Sequence, residues 1–216
     1  MNKKFTILII LILLIITGGV FWWWESRKEK EDKGEIVEYH LNYPLSKEED
    51  FAIEDTPEGK IVKNEKEGLF IEVPEGWNAR KTNLGGENGW IVELLSPDVK
   101  FRSDYTFLPE EGCGIEISIK HDKDEYEIKK NYIRAFQEYP ELLKEAPVEE
   151  EIELLEVSGH PALKEVFFEN EELGKSIMVT VPMNEKLYIF GTLLVPKDKE
   201  RCFQEFNNFL KKVSIE

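Results

Sequence analysis

Lys186-Leu187-Tyr188-Ile189-Phe190-Gly191-Thr192-Leu193-Leu194-Val195 is the stretch whose reading decides the fold. As a strand it places Leu187, Ile189, Leu193 and Val195 on one face and Tyr188, Phe190 and Leu194 on the other. A strand that is apolar on both faces is covered on both sides, so it belongs in the centre of its sheet.

Neighbouring segments supply the rest of that sheet. Segments 162–168 and 175–181 precede it at hairpin spacing, with turn signals at Asn170–Gly174 and Asn184-Glu185. Upstream, Ile115, Ile117 and Ile119 alternate with Glu116, Ser118 and Lys120, a strand with one wet face. Trp90, Val92 and Leu94 share a face before Ser96-Pro97-Asp98, and Leu69, Ile71 and Val73 share one before Pro74-Glu75-Gly76. Two helices are expected. Residues 124–139 carry Ile128, Tyr132, Ala135, Phe136 and Tyr139 at helical spacing, and Pro140 stops them. Residues 198–213 carry Phe203, Phe206, Leu210 and Val213, with Asp198 as N-cap. Sheet faces and these two helix stripes account for the apolar positions. Strands, helix, strands, helix, without regular βαβ alternation, argue for an α+β sandwich on a largely antiparallel sheet.

At the other end of the chain, Ile7 to Ile16 are ten consecutive Ile and Leu residues inside the uncharged stretch Phe5 to Trp24. A helix of that length spans ~30 Å, the thickness of a hydrocarbon core. Residues 1–24 therefore read as a transmembrane anchor, with residues 5–24 in the lipid bilayer. The segment ends in Trp22-Trp23-Trp24, residues suited to the interface, and lacks a small-x-small cleavage site. Lys3 and Lys4 before the apolar run read as an export signal, which puts the C-terminal domain outside the cytoplasm. Arg27, Lys28, Lys30 and Lys33 on the far side weigh against that orientation.

Beyond residue 24 the chain has 26 basic and 44 acidic residues, a net charge of −18. That argues against nucleic-acid binding, which needs a basic footprint. Residues 25–58 read as a charged flexible stalk, interrupted by Pro44 and Pro57. Residues 59–216 are enough for one domain with a core of its own.

Four stretches carry a resemblance. They are Gly68-Leu69-Phe70-Ile71-Glu72-Val73-Pro74-Glu75-Gly76-Trp77, Val157-Ser158-Gly159-His160-Pro161-Ala162, Leu187-Tyr188-Ile189-Phe190-Gly191, and the final helix with Phe206 and Phe209-Leu210. Over roughly residues 60–215 the chain resembles the PsbP-like family, in its membrane-anchored bacterial type. The resemblance implies an α/β/α sandwich with a central antiparallel sheet and a non-catalytic binding or accessory role. It carries over no catalytic site.

The residues themselves point to little chemistry. His40, His121 and His160 lack metal-site spacing, and there is no HExxH. Asp122, Asp124 and Glu127 read as the acidic first turn of a helix. Glu149, Glu150, Glu151 and Glu153 read as a solvated strand edge. Leu84-Gly85-Gly86-Glu87-Asn88-Gly89 reads as a hairpin loop, because a phosphate cradle needs a strand-to-helix context. Trp77 and Trp90, on either side of that loop in sequence, either close the core or form a ligand or partner surface. Cys113 and Cys202 read either as a disulfide or as buried thiols.

The expectation is a single-pass membrane protein displaying a binding or accessory domain for an envelope complex. The alternative is a small-ligand or cation-sensing module centred on Trp77 and Trp90. No cofactor and no enzymatic activity are expected, and the partner is a protein or small ligand whose identity the sequence does not give.

Overall fold

Lys186–Thr192 forms the middle strand of a seven-stranded sheet in the computed structural model, which describes residues 45–84, 87–101, 109–144, 150–170, 174–193 and 199–216. The expected anchor at 5–24, the stalk up to residue 44, His40, Gly85, Gly86, Glu149 and Asp198 lie outside the described residues. No helix among the described residues is long and apolar enough to cross a membrane.

In chain order the elements are β1 (Ala52–Thr56), β2 (Gly59–Asn64), β3 (Leu69–Glu72), β4 (Asn78–Asn83), β5 (Trp90–Leu95), β6 (Lys100–Phe101), β7 (Pro109–Glu111), β8 (Gly114–Lys120), α1 (Lys123–Glu138), β9 (Glu150–Val157), β10 (His160–Asn170), β11 (Gly174–Met183), β12 (Lys186–Thr192), α2 (Lys199–Leu210) and β13 (Val213–Ile215). The seven-stranded sheet runs β4-β5-β8-β12-β11-β10-β9, and each neighbouring pair is antiparallel. The fold is α+β. The turn between β11 and β12 has Asn184 and Glu185 at positive φ, and that between β9 and β10 has Ser158 and Gly159 so. Both are two-residue connections of the kind whose twist suits a hairpin.

On one face of this sheet Tyr188 and Phe190 lie opposite Ile119 and Ile117 on β8, and opposite Val181 and Val179 on β11. All six are buried. Two elements cover them. One is α2, whose Phe206 and Phe209 are fully buried; Phe209 meets Phe190 edge-on at 5.9 Å. The other is a second antiparallel sheet, β1-β2-β3-β13, which contributes Val62, Leu69, Ile71, Val213 and Ile215 to the same core. Gly68 precedes β3 at φ 66°, and a Cβ there would stand 2.7 Å from the Glu216 carbonyl oxygen, so glycine is required for the last strand to close.

The opposite face is covered by α1. Asp122 caps this helix, its Oδ1 accepting from the Glu125 amide at 3.0 Å. Tyr126 and Ile133 are its buried residues, and Lys129 pairs with Glu165 on β10 at 2.7 Å. Glu165 points away from the core side, because its neighbour Lys164 is in register with Val179.

Two expectations need correction. The α/β/α sandwich has one helix on each face, but α2 shares its layer with a four-stranded sheet absent from the sequence reading. The stalk ends earlier than residue 58. Leu45 bridges to Lys120, Phe51 is 2% exposed, and β1 pairs with β2 from Ala52 to Thr56. Pro57 lies in the hairpin turn, where proline fits, and so does not break the structure. The described part of 25–58 therefore belongs to the folded domain.

Cys113 and Cys202 are joined as a disulfide that ties the start of β8 to α2. Trp77 packs against it. The Ser96 hydroxyl accepts from the Cys113 amide and donates to Asp98, which pairs with Arg201 at 2.8 Å.

Candidate interaction face

The helix α1 has three sectors. Tyr126, Lys129 and Ile133 face the sheet. Glu127, Lys130, Arg134 and Glu138 form a charged sector, with Glu127–Lys130 at 3.9 Å and Arg134–Glu138 at 4.0 Å. The third sector is apolar and open. Ile128 is 51%, Tyr132 52% and Tyr139 53% exposed, and Leu142 in the following 3-10 turn is 38% exposed. The Tyr132 and Phe136 rings lie 6.2 Å apart. The expected core stripe of this helix is thus largely its solvent face. Ile128 and Ile133 are five residues apart, which turns them ~140° from each other. The helix buries the narrower stripe of Tyr126 and Ile133, between which Lys129 meets Glu165 on β10. Large exposed apolar residues in one row mark interaction surfaces more often than chance exposure does.

On the same sheet face, beyond α1, the register builds one row across six strands. Arg80 on β4 opposes Glu93 on β5, which opposes Glu116 on β8, then Gly191 on β12, Met178 on β11 and Glu165 on β10. Glu93 is 2% exposed. It accepts from Arg80 Nε at 2.5 Å and from the Thr82 hydroxyl at 2.7 Å. Arg80 also lies over the Phe101 ring, 5.1 Å from its centre. Glu116 makes no hydrogen bond or ion pair among the described residues. Burial, and then the charge of Glu93, push its carboxyl up to about 7. A groove of about 210 Å³ opens here, lined by Leu84, Ile91, Glu116, Phe167, Met178 and Ile189 among others.

Trp77 and Trp90 do not form one surface. Trp90 pairs with Asn83 at one end of the β4–β5 hairpin, whereas Trp77 precedes Asn78, which pairs with Leu95 at the other end. Roughly 17 Å of strand lies between those ends. Nearness in sequence to the loop misleads because Trp77 is outside the hairpin. Trp77 half-buries itself on the core and also lines an open cleft of about 890 Å³, with Lys60, Glu72, Glu75 and Lys212.

His160 Nε2 lies 3.4 Å from the Ile215 carbonyl, and His121 lies 3.9 Å from Glu67. Glu67 is itself buried, paired with Lys186, and its carbonyl accepts from the Tyr188 hydroxyl at 2.5 Å. Burial, then the charge of Glu67, push Tyr188 up to about 12. Glu151 and Glu153 lie on β9, at the edge of the seven-stranded sheet, with Glu153 paired to Lys164 at 2.9 Å. No group of three or more potential metal ligands occurs among the described residues. The sequence reading missed the Arg80–Glu93–Glu116 row. Its only signal was a glutamate amid apolar residues in Trp90–Leu95.

No protein-family model matches the chain, and no curated protein does. Two solved structures are similar to it. The solution structure of cyanobacterial PsbP (CyanoP) from Synechocystis is 8% identical, at a TM-score of 0.37, over 77% of this chain and 93% of that one. The crystal structure of LpqN, involved in cell envelope biogenesis of Mycobacterium tuberculosis, is 13% identical, at a TM-score of 0.34, over 68% and 82%. At these values the likeness assigns neither a family nor a function.

Proposed function

We propose that this chain is a single-pass membrane protein, held by residues 5–24, that displays a non-catalytic PsbP-like binding domain outside the cytoplasm as an accessory to an envelope complex. The observation that supports the binding role is the open apolar sector of α1, with Ile128, Tyr132 and Tyr139 each about half exposed. A helix that leaves its aromatic row in water while burying a lysine has an apolar face free for a partner. The acidic payload supports a partner surface with compensating basic groups around an apolar centre. The test is isolation of the intact anchored protein from its own membranes, with and without Ile128→Asp and Tyr132→Asp. A partner that co-purifies with the parent and is lost with either variant, at unchanged stability, supports the reading. Equal recovery from all three overturns it.

A second reading is a small-ligand module, favoured by the cleft beside Trp77. Its volume falls within the ordinary range of ligand pockets. In that case Trp77→Ala removes ligand-dependent thermal stabilisation and leaves partner recovery through α1 intact.

A further inference from the structure

The groove over Gly191 has three properties that together specify a ligand. Its floor is open by the absence of a side chain. A Cβ at Gly191 would meet only the Ile177 carbonyl oxygen, at 3.8 Å, an ordinary contact. Glycine is therefore not forced by crowding, and its effect is to leave space between Met178 and Glu116. The walls are apolar, from Leu84, Ile91, Phe167, Met178 and Ile189.

Glu116 is the third property. Arg80 and Thr82 satisfy Glu93, and the charges of Arg80 and Glu93 offset each other. Glu165 is matched by Lys129 in the same way. That leaves Glu116 as the acid of the row with no partner among the described residues. An unpaired carboxyl in an apolar setting is a local cost to the fold, which a bound cation would offset.

One carboxylate sets the charge of the ligand. Calcium takes six to eight oxygens and magnesium an octahedron, so a lone carboxylate suits neither. A primary ammonium carries one compact positive charge, which the single carboxylate of Glu116 in the groove matches. At about 210 Å³ the groove is smaller than a drug-sized pocket and matches a side-chain-sized group. We propose that this groove binds a primary alkylammonium group, its charge on Glu116 and its short stem along Leu84, Met178 and Ile189. The site is independent of the α1 docking sector, and its failure would leave that reading untouched.

Met178 provides the readout. The chain has three methionines. Met178 lines the groove, whereas Met183 packs on the main core. The full chain, labelled at its methionine methyls and held in a bilayer disc, is titrated with n-butylammonium chloride and with n-butanol. A millimolar midpoint is expected for so small a ligand. The Met178 signal moves saturably with the amine, Met183 does not, and butanol binds at least about tenfold more weakly. Glu116→Gln weakens the amine by about tenfold or more, and Gly191→Val, which fills the floor, abolishes the response at unchanged fold. Nα-acetyl-lysine amide is the second probe: tighter binding than butylammonium marks a lysine side chain as the source, weaker binding a free amine. No Met178 response, or one equal with butanol or unchanged in Glu116→Gln, overturns the proposal.

Discussion

Glu93 and Glu116 stand directly opposite each other on adjacent antiparallel strands, and among the described residues only Glu93 has a cation. Like charges in this position destabilise a sheet. Arg80 resolves the conflict at Glu93. At Glu116 no such cation stands among the described residues, and burial, then the charge of Glu93, push the carboxyl up to about 7.

Stability should therefore depend on pH through Glu116. Its ordinary value is 4.5, so between 4.5 and about 7 the folded state holds a proton that the unfolded state has released. Stability is lost as pH rises through that window, by ~2 kcal/mol after allowing for its remaining solvent contact. The other charges facing this row, Arg80, Glu93, Lys129 and Glu165, are paired with one another. Asp98, held low by the Ser96 hydroxyl and Arg201, loses its contribution only at more acid pH. Urea midpoints of the full chain in mild detergent should fall between pH 5 and about 8. Those of Glu116→Gln should stay level, and parallel curves would refute the assignment.

Arg80→Ala leaves Glu93 buried with only Thr82. The cost should be ~3 kcal/mol, and adding Glu93→Gln should recover much of it. Urea unfolding of both variants measures this. Simple additivity would mean that Arg80 acts through its contact with Phe101 instead.

The Cys113–Cys202 link closes a separation of 89 residues. Breaking it should cost ~2–4 kcal/mol. Comparing urea midpoints with and without reductant tests this, and an unchanged midpoint would count against a stabilising bond.

Phe206 on α2 is fully buried in the main core and packs on Phe209. Phe206→Ala should lower stability by ~3–5 kcal/mol, read from the same unfolding curves. A loss under ~1 kcal/mol would show that the site collapses around the smaller residue.

How much of this was legible in the sequence follows from the strength of local patterns. Leu187 to Phe190 alternate between two apolar faces, and only the centre of a sheet satisfies both. Its flanking hairpins were legible from their turns. The small sheet was not. Leu45, Phe51 and Ile53 are isolated apolar residues without a strand pattern, and the strand that closes the other edge of this sheet, β13, arrives from the end of the chain. The strand β4 shows no alternation because its Arg80 and Thr82 face Glu93 rather than the core. For α1 the spacing identified the helix but not its buried side. That side, Tyr126 and Ile133 with Lys129 between them, is set by tertiary packing on the sheet, which helical spacing alone does not show. The Glu93–Glu116 pair needed the register, which a single sequence does not supply.

The most direct test of the binding role uses a photoreactive amino acid placed on α1 in the intact anchored protein, in its own membranes. One position is Tyr132 in the apolar sector, and the other is Arg134 in the charged sector. The account predicts an adduct of one defined mass from position 132, none from position 134, and loss of the adduct when Ile128→Asp is added. Equal adducts from both positions, or none from position 132, would contradict it.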